Sequence, residues 1–139
     1  MLNLTKAIYA KLAGSALASD IGGRLHKGRA PEGTEYPYVV YMVISDVPEK
    51  TFTEDFENVV IQFSLFSATQ SSSNEVETMF ADLKTLYDEC SLTITGSTLL
   101  RMKRAIATLM VEDHTLPPPH GTVEVWHNAV DYEVLLETN

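Results

Sequence analysis

A chain of 139 residues, 45% hydrophobic and 21% charged, has the size and make-up of one globular domain over residues 1–139 and needs no staples to fold. Its formal charge of −9 argues against tight DNA or RNA binding, which calls for a basic surface. Cys90 is the only cysteine, excluding an internal disulfide, and no apolar run reaches the roughly 18 residues of a membrane helix.

The charge is unevenly spread. Residues 1–30 hold five basic side chains (Lys6, Lys11, Arg24, Lys27, Arg29) against Asp20 alone, a net +4. The remainder carries five basic and 18 acidic residues, a net −13. Such a split fits either contacts between copies or a solvated surface whose halves never meet.

In chain order, Leu4, Ala7, Ile8, Leu12, Ala16 and Leu17 recur at helical spacing and predict an amphipathic helix from about residue 3 to about residue 18. The same start lacks the apolar centre of a signal peptide, so a cytoplasmic protein is expected. Gly22-Gly23 ends the helix and opens a loop, Arg24 to Gly33, whose glycines and basic residues do not have the spacing of a phosphate-binding loop. Tyr36-Pro-Tyr-Val-Val-Tyr-Met-Val-Ile-Ser45 packs aromatic and β-branched residues behind one proline, which predicts a strand in a covered sheet. The acidic stretch 46–58, with Phe52 and Phe56, reads as a long hairpin arm. From Val59 to Ser67 the alternation sets Ile61, Phe63 and Leu65 on one face, and Gln62 and Ser64 on the other with Val60 and Phe66.

Ser72 and Glu75 fit a capping box opening a second helix, whose stripe Val76, Met79, Phe80, Leu83, Leu86 and Tyr87 predicts packing on a sheet. Leu92 to Thr95 reads as a short strand turned by Gly96-Ser97. Residues 98–112 suit helix or strand, and strand is preferred because they feed a hairpin. The loop of that hairpin, Asp113 to Gly121, contains Pro117-Pro-Pro119 and reads as stiff and exposed. A closing strand from Val123 to Leu136 changes inward parity near His127 to Ala129, which predicts a bulge or bend. The sum is an α+β fold: a mostly antiparallel sheet of about four strands, two amphipathic helices packed on one face, and a long hairpin arm.

The usual chemistries find no footing. His114, His120 and His127 have no metal-ligand spacing, and His26 stands alone in the basic loop as a surface residue. Gly96-Ser97-Thr98 lacks the second glycine of a nucleophile elbow, and Cys90 has neither a basic neighbour nor a base, so it reads as a small buried hydrophobe. Catalytic, metal and cofactor residues are therefore expected to be none, and the chain is expected not to be an enzyme.

The order of these pieces carries a resemblance. Ala7-Ile-Tyr-Ala-Lys-Leu12, Ile21-Gly-Gly-Arg-Leu25, Pro37-Tyr-Val-Val-Tyr41, Val60-Ile-Gln-Phe-Ser64 and Val125-Trp-His-Asn-Ala-Val-Asp-Tyr-Glu-Val134 are similar to the tail-terminator (tail-completion, or neck) proteins of long-tailed bacteriophages, prophages and gene transfer agents. The arm 46–58 and Pro117-Pro-Pro119 match no family pattern. The resemblance implies a homo-oligomer, a hexameric ring, that caps the tail tube, ends its polymerisation and offers a docking face to the head connector or stopper. Its partners would be the tail tube protein and that connector, with DNA only as cargo through an acidic or neutral lumen and no membrane. The protein would work in the host cytoplasm during assembly and then in the virion. The interface is expected to set Arg24, Lys27 and Arg29 against Glu54, Asp55 and Glu57 of a neighbour, with Phe52 and Phe56 as apolar anchors. Another head–tail connector component, or a small metal-dependent enzyme, is the alternative.

Overall fold

The computed structural model describes residues 2–68, 72–115 and 121–139. Among these, the elements run α1 (Leu2–Leu12), α2 (Ala16–Ile21), β1 (Leu25–Lys27), β2 (Tyr38–Lys50), β3 (Asp55–Ser67), α3 (Asn74–Tyr87), β4 (Thr93–Ile94), β5 (Ser97–Thr115) and β6 (Thr122–Thr138). The strands form one sheet in the order β1-β2-β3-β6-β5-β4. β1 runs parallel to β2, and every other pair is antiparallel. The class is α+β, with six strands and three helices among the described residues where about four and two were expected.

Each extra element has a local cause. The first helix is split because Gly14 takes φ +74, a left-handed conformation that ends α1. Ser15 then caps α2, its Oγ accepting from the Ala18 N–H at 3.1 Å. Leu12, Leu17 and Ile21 are nevertheless all buried, so the apolar period runs through the break and hides it. β1 occupies part of the stretch read as loop, and three residues are too few to show an alternation. Residues 98–112 are strand, within β5.

Two local expectations are corrected. The N-cap of α3 is Ser73, without a side-chain cap bond. Ser72 Oγ accepts from the Asn74 N–H at 3.2 Å, while the Glu75 carboxylate accepts from the Ser67 hydroxyl at 2.6 Å. Glu75 thus ties the helix start to the end of β3 instead of closing a reciprocal box. Nor is there a bulge at 127–129: β6 pairs with β3 and β5 straight through His127–Ala129. The register shifts lie in β5, between Leu99 and Arg101 and between Arg104 and Ile106, and in β2, between Val43 and Ser45. Val125 is buried outside the main core cluster, which explains the apparent parity change without a bulge.

All three helices cover one face of the sheet. Val59, Ile61, Phe63 and Leu65 of β3 and Val130, Tyr132, Val134 and Leu136 of β6 are buried beneath Leu4, Ile8, Leu17, Ile21, Met79 and Leu83. Phe63 sits at the centre, stacked on Tyr87 with ring centroids 4.8 Å apart and edge-on to Tyr132 at 5.6 Å. The buried tyrosines keep their polar ends satisfied: Tyr41 donates to the Thr5 carbonyl at 3.3 Å, and Tyr132 to Asp88 Oδ1. Burial drives the Tyr87 and Tyr132 phenols well above their ordinary range, so both stay protonated donors. No described helix covers the opposite face.

Candidate assembly surfaces

The basic loop is held by its own chain. Gly22 closes α2 in the left-handed region (φ +58), and the Arg24 guanidinium lies against it, where an added Cβ would stand 2.8 Å from Arg24 Nη1. From there Arg24 Nε donates to the Pro37 carbonyl at 3.0 Å and Nη2 to Tyr36 at 3.5 Å. Arg24 is thus engaged within its own protomer, fastening the loop to the start of β2. Gly28 N donates to the Tyr41 carbonyl at 2.8 Å, and Lys27 and Arg29 stand exposed beyond it. His26, expected on the surface, is half-buried in β1.

The acidic arm is a paired ladder nearly to its tip. β2 and β3 remain in register to Lys50 and Asp55, and the Thr51 hydroxyl accepts from the Glu54 N–H at 3.0 Å to close the turn. Phe52 is fully exposed at that turn, beside exposed Glu54 and Asp55, while Phe56 and Glu57 are half-buried in β3. The basic loop lies beside Tyr41 and the tip follows Lys50. Nine residues of extended strand separate them by about 30 Å. Both clusters flank β2, at opposite ends of the same strand, so within one protomer they do not meet.

The uncovered sheet face carries a stair of rings. Tyr36 and Tyr38 have centroids 5.3 Å apart, Tyr38 stacks on Phe66 at 4.9 Å, and Phe66 stacks on His127 at 4.3 Å. Burial holds His127 below the ordinary histidine range, favouring the neutral ring. Gln62 donates to Asp131 at 3.0 Å on this face. A depression there is lined by Glu49, Asn58, Arg101, Lys103, Glu133 and Leu135.

The two margins of the sheet are unfinished, which the sequence did not reveal. β1 covers β2 only from Val39 to Tyr41. On the other margin β4 covers β5 at Ser97 and Thr98, and the connection after α3 lies along the next stretch, where the Glu89 N–H donates to the Met102 carbonyl at 2.9 Å and Glu89 and Asp88 pair with Arg101 and Arg104. The rest of β5 exposes Ile106, Leu109, Met110 and Val111. Alternation along 98–112 is imperfect because β5 has two bulges, and that masked the signal. Beyond Trp126 the β5–β6 ribbon leaves β3 behind, since Ser67 is the last β3 residue paired to β6.

Among the described residues no group of three or more His, Cys, Asp or Glu side chains is arranged to hold a metal ion. His114 faces Glu112 at 3.1 Å, and His120 and the three consecutive prolines lie outside the described residues. Cys90 is half-buried 3.6 Å from the Met102 sulfur, and burial raises its thiol pKa. No described helix is long and apolar enough to cross a membrane.

Helices seal one face of the sheet, and the other face carries exposed side chains beside loops and a long ribbon. The family model described as "Tail completion protein gp17" matches residues 6–132, and the chain belongs to that family. It is a structural protein of the phage-type virion tail. The fold is similar to that of a chain in the virion of a native gene transfer agent (GTA) particle. That alignment covers 96% of this chain and 94% of the other at 12% identity, with a TM-score of 0.71. A second solved chain aligns over 95% of this chain and 93% of its own length at 14% identity, with a TM-score of 0.49, too low to add to the fold assignment. Comparison with curated proteins finds no significant match.

Proposed function

We propose that this protein forms a closed ring, six copies around the tail axis, that caps the tail tube, ends its polymerisation and presents the surface on which the head connector docks. The observation that carries this reading is the pair of unlike, unfinished margins on one sheet. Unlike margins support a heterologous contact, one patch meeting a different patch on the next copy, and such contacts close into rings when the rotation permits. Several modest contacts on one rigid ring then bind a tube end together.

The residues expected at the interface take their places in this proposal. Lys27 and Arg29 offer exposed positive charge at one end of β2, and Phe52, Glu54 and Asp55 stand exposed at the other, with Phe56 and Glu57 half-buried behind them on opposite faces of β3. Because some 30 Å of strand separates them, we assign them to two different contacts, with Arg24 shaping the basic one. A lumen without a strong positive field lets DNA pass as cargo.

Particles assembled without this protein test the reading directly. Tails of uncontrolled length, or normal tails never joined to heads, are expected in electron micrographs. Particles of normal length and infectivity would overturn it. Binding to purified tail tubes rather than to filled heads separates a terminator from another connector component, and a stoichiometric metal in elemental analysis would favour the enzyme alternative.

A further inference from the structure

We infer, resting on the ring reading, that neighbouring copies join by a peg and a socket: the Phe52 ring at the arm tip of one protomer seats in a hollow on the uncovered sheet face of the next, beside Arg29. The hollow follows from the register. Tyr38 pairs with Phe66 and Val40 with Ser64, and Met42 comes one row further on the same face. The short side chains of Val40 and Ser64 thus lie between the Tyr38–Phe66 stack and Met42, and the chain from Gly28 to Ala30 forms the rim. The space is about 320 Å³. An apolar cavity of about 150 Å³ already accepts benzene, so a phenyl ring fits.

Phe52 has no task within its own chain. The turn it sits in closes without it: the Thr51 N–H donates to the Glu54 carbonyl at 2.9 Å, and the Thr51 hydroxyl accepts from the Glu54 N–H at 3.0 Å. Its side chain is wholly exposed, so the folded protomer gains nothing from an aromatic residue at this position. Nor can the ring reach the hollow of its own protomer. β2 and β3 stay paired out to Lys50 and Asp55, which holds the tip about 30 Å away. Ring and hollow can meet only between copies.

Charge agrees with shape. Glu54 and Asp55 stand exposed beside Phe52, and Lys27 and Arg29 stand exposed beside the hollow. Among the described residues none of these four enters an ion pair within the protomer. Seating the ring sets it against the Tyr38–Phe66 stack and the Met42 thioether, both favourable partners for an aromatic side chain. The same movement brings the two carboxylates to the two cations, so one apolar anchor lies inside a charged rim. The contact is heterologous. Each protomer's tip enters the copy ahead and its hollow receives the copy behind, so the two patches lie in separate contacts, as a closed ring requires.

The test makes the peg photoreactive. Replacing Phe52 with p-benzoylphenylalanine keeps an aromatic ring at the tip, and isotope-labelled protein mixed with unlabelled protein separates links between copies from links within one. Irradiation in solution and on purified tail tubes should join the tip to peptides holding Tyr38 to Met42 or Ser64 to Phe66 of another copy. Arg29→Glu or Glu54→Arg alone should weaken oligomers about tenfold or more, and the two together should recover most of that loss, with unfolding midpoints unchanged throughout. Oligomers whose cross-links fall elsewhere, on residues 109–113 or on the tube protein, would overturn the socket and leave the ring standing. Native masses that stop at two copies, with the expected cross-link, would support the socket and replace the ring with a reciprocal pair. A single-protomer mass in every setting, tail tubes included, would remove both.

Discussion

The Tyr87 phenol donates a 2.8 Å hydrogen bond to the main-chain carbonyl of Ile8, joining the last turn of α3 to the middle of α1 across 79 residues of sequence. Both residues are wholly buried, and the same ring stacks on Phe63 below it. One side chain therefore couples two helices and the central strand of the sheet.

Removing only the hydroxyl isolates the polar part of that coupling. Tyr87→Phe is expected to lower stability by about 1 kcal/mol, the net worth of one buried hydrogen bond. Urea denaturation should show a lower midpoint with an unchanged slope.

Phe63→Ala removes the ring on which Tyr41, Tyr87 and Tyr132 converge. A cavity at the centre of the sheet should cost about 3–5 kcal/mol, a large share of a small domain's stability. The thermal midpoint by circular dichroism should fall steeply, or soluble protein should be lost.

Asp20 gives stability a pH dependence. Burial, reinforced by the neighbouring carboxylates of Asp82 and Glu75, raises its pKa from 3.8 to about 6. The folded state therefore binds the proton more tightly than the unfolded one, so this group's contribution is most favourable at low pH and is lost as pH rises from 3.8 through about 6. Asp20→Asn should flatten that fall and raise the unfolding midpoint at pH 7–8. Solvent screening should hold the gain below about 1 kcal/mol. A midpoint that drops at pH 7 in this variant would contradict the assignment.

Gly22→Ala should disturb more than a helix end. The position needs φ +58, and the new methyl would collide with Arg24, loosening its grip on the Pro37 and Tyr36 carbonyls. A cost of about 1 kcal/mol is expected for the left-handed backbone alone. Amide exchange should quicken around residues 36–38, and an unchanged rate there would show that Arg24 does not anchor the loop.

Arg101 tests how little an exposed ion pair contributes. Its ion pair with Glu89, 2.8 Å long, has both side chains more than half exposed. Such pairs contribute little to folding. Arg101→Ala should leave the urea midpoint essentially unchanged, and a clear fall would show that the pair does more than decorate the surface.

What the sequence determined was everything governed by local periodicity and composition. The inward frame of β3, the apolar stripe of α3 and the strand opened by Pro37 follow from repeats of two and 3.6 residues, and those repeats hold wherever one face is buried. The lack of a recognisable reaction motif and the likeness to tail-completion proteins were also legible, because they rest on residue types and their order. Tertiary structure decided the rest. Whether Arg24 faces a neighbour or its own loop depends on where Pro37 is brought by the turn. Whether Glu75 caps its helix or binds Ser67 depends on how α3 meets β3. The two open margins exist only once six strands have been ordered, since pairing between strands distant in the chain leaves no periodic trace in either one. The surfaces that matter for assembly are made by that ordering, and a linear pattern records only which way each side chain points.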